Sequence, residues 1–327
     1  MTHVILCKKR GRKPTVTDMD ALIAYLVQMK TGMDLDTLAT LLKVHPSSLN
    51  RALEKIAPIL FQVLKDRWWN NRIRPIPLEG KNFPYIALCA DSTSIEINRP
   101  KGRFEESKHY FDSKNGIYAL KKECAVMAAH PHYCLFSQKA FVDSVYDFNT
   151  LKTTYSSYVD YLTKRAEEIN FILSDESNPS WAILFDSAYI CTDINKTPGR
   201  RKIALLKGEM TQTERNLQLE LRKTRVVVEQ FFGWLKSLWG IFRNPYRCAH
   251  ERFDMNFDIC VLLTNEHIKQ NVFQEIDLLF YRNLYSIQRS QQEAKDKKIL
   301  EQVSQSCAKK RTRLGKILLK KILLLFF

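Results

Sequence analysis

Three acids stand in separate apolar settings, and together they could do phosphodiester chemistry. Asp91 follows the run Tyr85 to Ala90, and Asp186 follows Trp181 to Phe185. Glu229 lies inside Arg225-Val226-Val227-Val228-Glu229-Gln230-Phe231-Phe232. A carboxylate at the end of a buried strand is costly to desolvate unless a cation or strong donor meets it. Two such strands and one helix could bring three carboxylates to a single point. That is a site for hard divalent cations, and paired Mg²⁺ is a common apparatus for cutting phosphodiester bonds. Any one of these acids alone reads as a strand cap or a solvated side chain; it is the combination that points to metal chemistry.

The elements around the acids are legible in outline. Asp91 is expected to close its strand, with Ser94-Ile95-Glu96-Ile97 alternating as a strand edge would. Ile117 to Met127 is strand-like, Tyr133 to Val142 is a further apolar stretch, and residues 155–172 carry helical spacing. A long basic segment, Lys196 to Lys223, leads to the Glu229 helix. On that helix Arg225, Gly233 and Lys236 share a face with Glu229, while Val228, Phe231, Phe232, Leu235 and Leu238 are apolar. A carboxylate beside an arginine is either a structural ion pair or a metal ligand whose neighbour grips phosphate. Glu209, Glu214 and Glu220 are rival third acids, though none has the Arg-x-x-x-Glu context. Strands first, then helix, strand and helix, predict an α/β domain with a mixed sheet over residues 85–268.

Before it, residues 17–66 read as an all-α module. Met19, Leu22, Ile23, Leu26 and Met29 predict one amphipathic helix ended by Gly32. A second carries Leu35, Leu38, Leu41 and Leu42, and Pro46 opens a third that buries Leu49, Leu53 and Ile56. The pattern resembles a helix-turn-helix, with Ser47, Ser48, Asn50 and Arg51 placed to reach base edges in a major groove. A plain three-helix packing module is the blander reading. Residues 67–84 read as a linker whose Trp68 and Trp69 pack the module onto the α/β domain.

Charge points the same way. With 51 basic against 35 acidic residues, the 327-residue chain carries +16, which suggests a polyanionic partner. An anionic membrane is the weaker choice, because no apolar run approaches the roughly 18 residues that span a bilayer. Val4 to Cys7 is too short for the apolar core of a signal peptide. Residues 1–16 form a basic tail in which Lys8-Lys9-Arg10-Gly11-Arg12-Lys13 fits a nuclear-import signal or a solvated arm. Residues 269–327 form a basic, partly disordered tail whose terminal Ile322 to Phe327 would be an unusual surface. It either docks onto the body or reflects an altered end of the coding sequence. Eight cysteines lie singly with no Cys-x-x-Cys, so zinc is disfavoured and free buried thiols are expected. No Gly-rich phosphate loop is present, which disfavours a nucleotide-driven enzyme.

Four segments together resemble the PIF/Harbinger type of DDE transposase-derived nucleases. They are Ala90-Asp91-Ser92-Thr93, the hairpin-like Tyr110 to Lys121, Leu184-Phe185-Asp186-Ser187-Ala188-Tyr189, and Arg225 to Lys236; Cys260 to Asn265 also fits. The resemblance implies a ribonuclease H-like catalytic domain, a mixed sheet flanked by helices. It implies that Asp91, Asp186 and Glu229 bind two Mg²⁺ or Mn²⁺ ions, while Lys114, Lys121, Arg225 and Lys236 are candidates to hold phosphates. Double-stranded DNA is then the substrate, cut and joined in the nucleus, with a separate Myb-like helper implied by the family and a homo-oligomer compatible with it. A catalytically silent, transposon-derived DNA-binding protein is the alternative, and an RNA-processing nuclease of the same fold is a third.

Overall fold

The computed structural model describes residues 15–78, 83–113, 115–142, 156–171, 179–185, 201–204 and 211–271. All lie within one compact unit, Met1–Val272. Three helices lead: α1 (Asp18–Thr31), α2 (Leu35–Leu41) and α3 (Pro46–Trp68). Their ends are set locally. Thr17 and Asp20 form a capping box at the start of α1, and Gly32 stops it in the left-handed conformation at φ 72°. Asp34 accepts from Thr37 N–H to cap α2, and Pro46 fits the first turn of α3, where an N–H has no helical partner.

The face that α1 buries is not the expected stripe. Met19 and Ile23 are 65% and 53% exposed, while Ala21, Ala24, Tyr25, Gln28 and Met29 turn inward. The reason is contact with the rest of the unit. Tyr25 Oη donates to buried Asn256 Oδ1 at 2.7 Å, and Ala21 and Ala24 are buried on the same helix. Leu41 and Leu42 of the second helix are exposed as well. Helix α3 extends through Pro58 to Trp68, so both tryptophans of the expected linker are buried at its end. Trp68 Nε1 donates to Glu266 at 2.7 Å, on a helix of the α/β portion.

A mixed sheet comes next. Its strands are β1 (Ile86–Glu96), β2 (Phe111–Asp112), β3 (Ile117–Met127), β4 (Cys134–Ser137), β5 (Phe141–Val142), β6 (Ala182–Phe185) and β7 (Arg201–Ala204). The order is β2-β3-β1-β6-β7, with β4 and β5 also pairing β3. β1 runs antiparallel to β3 and parallel to β6, and β6 runs parallel to β7. The remaining helices are α4 (Phe104–Lys108), α5 (Ser156–Leu162), α6 (Gln212–Leu238) and α7 (Phe253–Gln270).

Two sequence expectations change here. Asp91 does not close its strand: β1 runs on through Glu96 because it keeps pairing with β3, Asp91 opposite Cys124 and Glu96 opposite Ala119. What changes at Asp91 is burial. Ile86 to Ala90 are buried on both faces, and from Asp91 the strand shifts toward the alternation of a half-covered edge. Nor is Lys196–Lys223 a plain connector. β7 interrupts it, and α6 begins at Gln212, so Glu214 and Glu220 lie on the same 27-residue helix as Glu229. Glu209 lies outside the described residues.

Helices cover both faces of the sheet. Side chains alternate along β3, so Lys122 and Glu123 mark opposite faces. Lys122, fully buried, sets its ammonium 2.8 Å from Asp254 and 3.0 Å from Asp258 of α7. Burial alone would lower its pKa, but the two carboxylates raise it and keep it charged. On the other face, Tyr158 of α5 donates to buried Glu123 at 2.7 Å. Helix α6 lies with α7: Cys89 Sγ donates to Thr224 O at 3.4 Å, and Lys236 Nζ to Ser94 O at 3.2 Å. Those two bonds pin α6 along β1. Among the described residues no helix is long and apolar enough to cross a membrane.

Candidate active site

The pinning of α6 brings one of its arginines onto Asp91. Thr224 sits against Cys89, so the next helix residue, Arg225, faces the second strand residue after it. Arg225 Nη1 donates to Asp91 Oδ2 at 2.7 Å, a contact between residues 134 apart in the chain. Its other terminal nitrogen, Nη2, donates to Glu229 Oε1 one helical turn on. A single guanidinium thus bridges two acids from two elements. Asp91 Oδ1 is held independently, accepting from Ser92 N–H at 2.8 Å. Side-chain exposures are 22% for Asp91, 17% for Arg225 and 41% for Glu229, so the bridging arginine is the most enclosed of the three and Glu229 the least.

Lys236 lies farther along α6. It is half-buried, and desolvation draws its ammonium pKa down to about 8. Lys121 is not part of this cluster. It pairs with Ser94 across the β1–β3 ladder, and alternation places it on the face away from Asp91 and α6. Asp186 and Lys114 lie outside the described residues. β6 ends at Phe185, and its register sets Leu184 beside Cys89, two residues before Asp91.

At the N-terminal helices the four candidate base-reading residues divide. Ser47 and Arg51 are exposed, and Ser48 is half-buried. Asn50 is turned toward the α/β portion, where its Oδ1 accepts from Arg252 Nη1 at 3.0 Å while its Nδ2 donates to Glu54 at 3.2 Å. Arg252 also pairs with Glu54. Nothing in the local sequence marks Arg252 as a partner of α3. The contact of Arg225 with Asp91 likewise has no local signal, although the four-residue spacing of Arg225 and Glu229 does show in the sequence.

The described cluster fits a divalent cation in donor chemistry. Carboxylate oxygens are the ligands hard cations take, and a positive charge already sits between the two acids. Among the described residues no three acid, histidine or cysteine side chains gather as a metal cage. Asp91 and Glu229 are the two acids that Arg225 joins among the described residues.

Comparisons with curated proteins and with solved structures gave no match. One protein-family model does match. It is described as DDE superfamily endonuclease and covers residues 90–265, a span that holds β1 from Ala90, the rest of the sheet, and α6 with Arg225 and Glu229. That is more than half of the 327 residues, and the chain belongs to the DDE superfamily of endonucleases.

Proposed function

We propose that the protein is a divalent-metal-dependent DNA endonuclease and strand transferase of the PIF/Harbinger transposase type. The observation that carries this reading is the meeting of Asp91 and Glu229, from a central strand and a flanking helix, on one cationic group. Asp91, Glu229 and Asp186 are the proposed ligands, in a domain whose mixed sheet with helices on both faces is consistent with a ribonuclease H-like fold. Two Mg²⁺ or Mn²⁺ ions bound there would supply an activated water or 3′-hydroxyl and stabilise the leaving oxygen.

The chain's own residues do the rest. Ser92 N–H donates to the Asp91 carboxylate and helps set its orientation. Lys236 offers a partly desolvated ammonium along the same helix, where a phosphate would favour its charged form. The three N-terminal helices act as a helix-turn-helix, with Ser47 and Arg51 as the exposed pair at the start of α3. Residues 8–13 serve nuclear import, and a Myb-like helper assists DNA-end recognition.

Supercoiled plasmid incubated with the purified protein in Mg²⁺, Mn²⁺ or EDTA tests this. Nicking is expected with either metal, and none in EDTA. Alanine at Asp91, Asp186 or Glu229 should lower the rate by at least about a thousandfold, about 4 kcal/mol of barrier, while DNA binding persists. Cleavage retained by any one of the three removes that residue from the proposed set. Binding without nicking in both metals would make the protein a silent DNA binder.

A further inference from the structure

We infer that Arg225 is a resident counter-cation, which holds the acid pair closed in the metal-free protein and which a divalent metal must displace. The inference rests on the reading of Asp91 and Glu229 as metal ligands. The geometry is that of one group serving two acids: Nη1 on Asp91 Oδ2 and Nη2 on Glu229 Oε1. A guanidinium is a rigid planar fork that stays charged at any working pH, so both contacts are made by one fixed group. A divalent ion would need those same oxygens at about 2 Å and would stand against a like charge if the fork stayed. Metal and guanidinium therefore compete for Asp91 Oδ2 and Glu229 Oε1.

The structure also says where the exchange starts. Asp91 is the more enclosed acid and is anchored from Ser92 N–H, so it stays in place. Glu229 is 41% exposed and shares a helix with Arg225 at four-residue spacing. Parting those two needs a change of side-chain rotamer and no movement of α6. Once released, the guanidinium remains one turn from Glu229, near enough to pair with an incoming phosphate. One guanidinium offsets half of the charge of the two carboxylates before metal arrives, and the displaced cation becomes available when the polyanion does.

A clamp of this kind taxes metal affinity by the fraction of time it is open. Removing it should therefore tighten binding. The experiment titrates full-length protein with Mn²⁺, following free Mn²⁺ by electron paramagnetic resonance, and records melting temperature with and without metal. Arg225→Gln is expected to bind Mn²⁺ about ten- to a hundredfold more tightly, as for a clamp closed about 90–99% of the time. It should also melt lower than wild type without metal, and gain more from added Mn²⁺. Arg225→Lys keeps the charge but loses the fork, should bind about threefold or more tighter than wild type, and carries the test if the glutamine variant does not fold.

Mn²⁺ affinity unchanged or weakened in the foldable variant overturns the inference, because Arg225 would then be supporting the site. If wild type binds Mn²⁺ and Asp91→Asn does not, the metal reading survives that failure. Absence of Mn²⁺ binding in wild type and Arg225 variants alike overturns both.

Discussion

Glu168 is a carboxylate 3% exposed, and its surroundings show how this chain stabilises acids away from the cluster. Arg74 Nε and Nη2 grip its two oxygens at 2.6 Å each, and Trp181 Nε1 and Arg165 N–H add bonds at 3.1 and 3.0 Å. Burial alone would raise its pKa, but these donors, Arg74 foremost, bring it from the ordinary 4.5 to about 2. A carboxylate with a folded pKa below its unfolded value stabilises above the unfolded value. That stability is lost as pH falls from 4.5 toward about 2. Glu168→Gln should cost about 2–3 kcal/mol at neutral pH, at the low end for a broken buried pair because Arg74 keeps some solvent. The variant should also lack the steep fall of melting temperature that wild type shows between those two pH values. Thermal melts of both proteins from pH 7 to pH 2 check this, and parallel curves would show that Glu168 does not carry the acid sensitivity.

At the scale of elements, what positions Arg225 and Glu229 is the fixing of α6 at both ends of its buried run. Beyond its last turn, Gly240 opens a short 3-10 turn against the end of α1. A Cβ on Gly240 would lie 2.7 Å from Lys30 O and from the Thr31 carbonyl carbon, both backbone atoms that cannot swing aside. Gly240→Ala should therefore cost about 1–3 kcal/mol by overpacking and make the α1–α2 connection easier to cleave by protease. Unchanged melting and cleavage would mean that the two backbones part freely. The sequence shows such elements unevenly. β3 is legible from Ile117 to Met127 because apolar residues flank Lys121-Lys122-Glu123 on both sides, and the buried part of α6 because its apolar face repeats at helical spacing. The α1 face is not, since Met19 and Ile23 outrank Ala21 and Ala24 in hydrophobicity while the small residues win the contact. Asp91 is legible as a boundary of burial but not as a mid-strand residue, because strand pairing with β3 leaves no mark in β1 itself. Asp91 and Glu229 can be nominated singly; the guanidinium joining them depends on how α6 docks, which local sequence does not encode.

For the whole molecule the dominant quantity is the +16 charge. Phosphate contacts release counterions, so duplex affinity should fall linearly in log–log form with salt, by about 0.9 per phosphate neutralised. The five basic residues Lys8, Lys9, Arg10, Arg12 and Lys13 lie outside the described residues. Replacing all five with glutamine should reduce the slope by about 4–5 and leave the melting temperature unchanged. Fluorescence anisotropy on labelled duplex between low and physiological salt measures it, and an unaltered slope would assign DNA contact to the folded body alone. That body keeps one further resource. Cys89 is a buried free thiol immediately before Ala90-Asp91, and it donates to the backbone of α6 beside Arg225. Burial pushes its pKa up, so its thiolate is scarce as well as hidden. Lifting of α6 from β1 would open it to a thiol reagent. The chain thus carries its own clock for that opening, one atom wide and set next to the acids whose access it times.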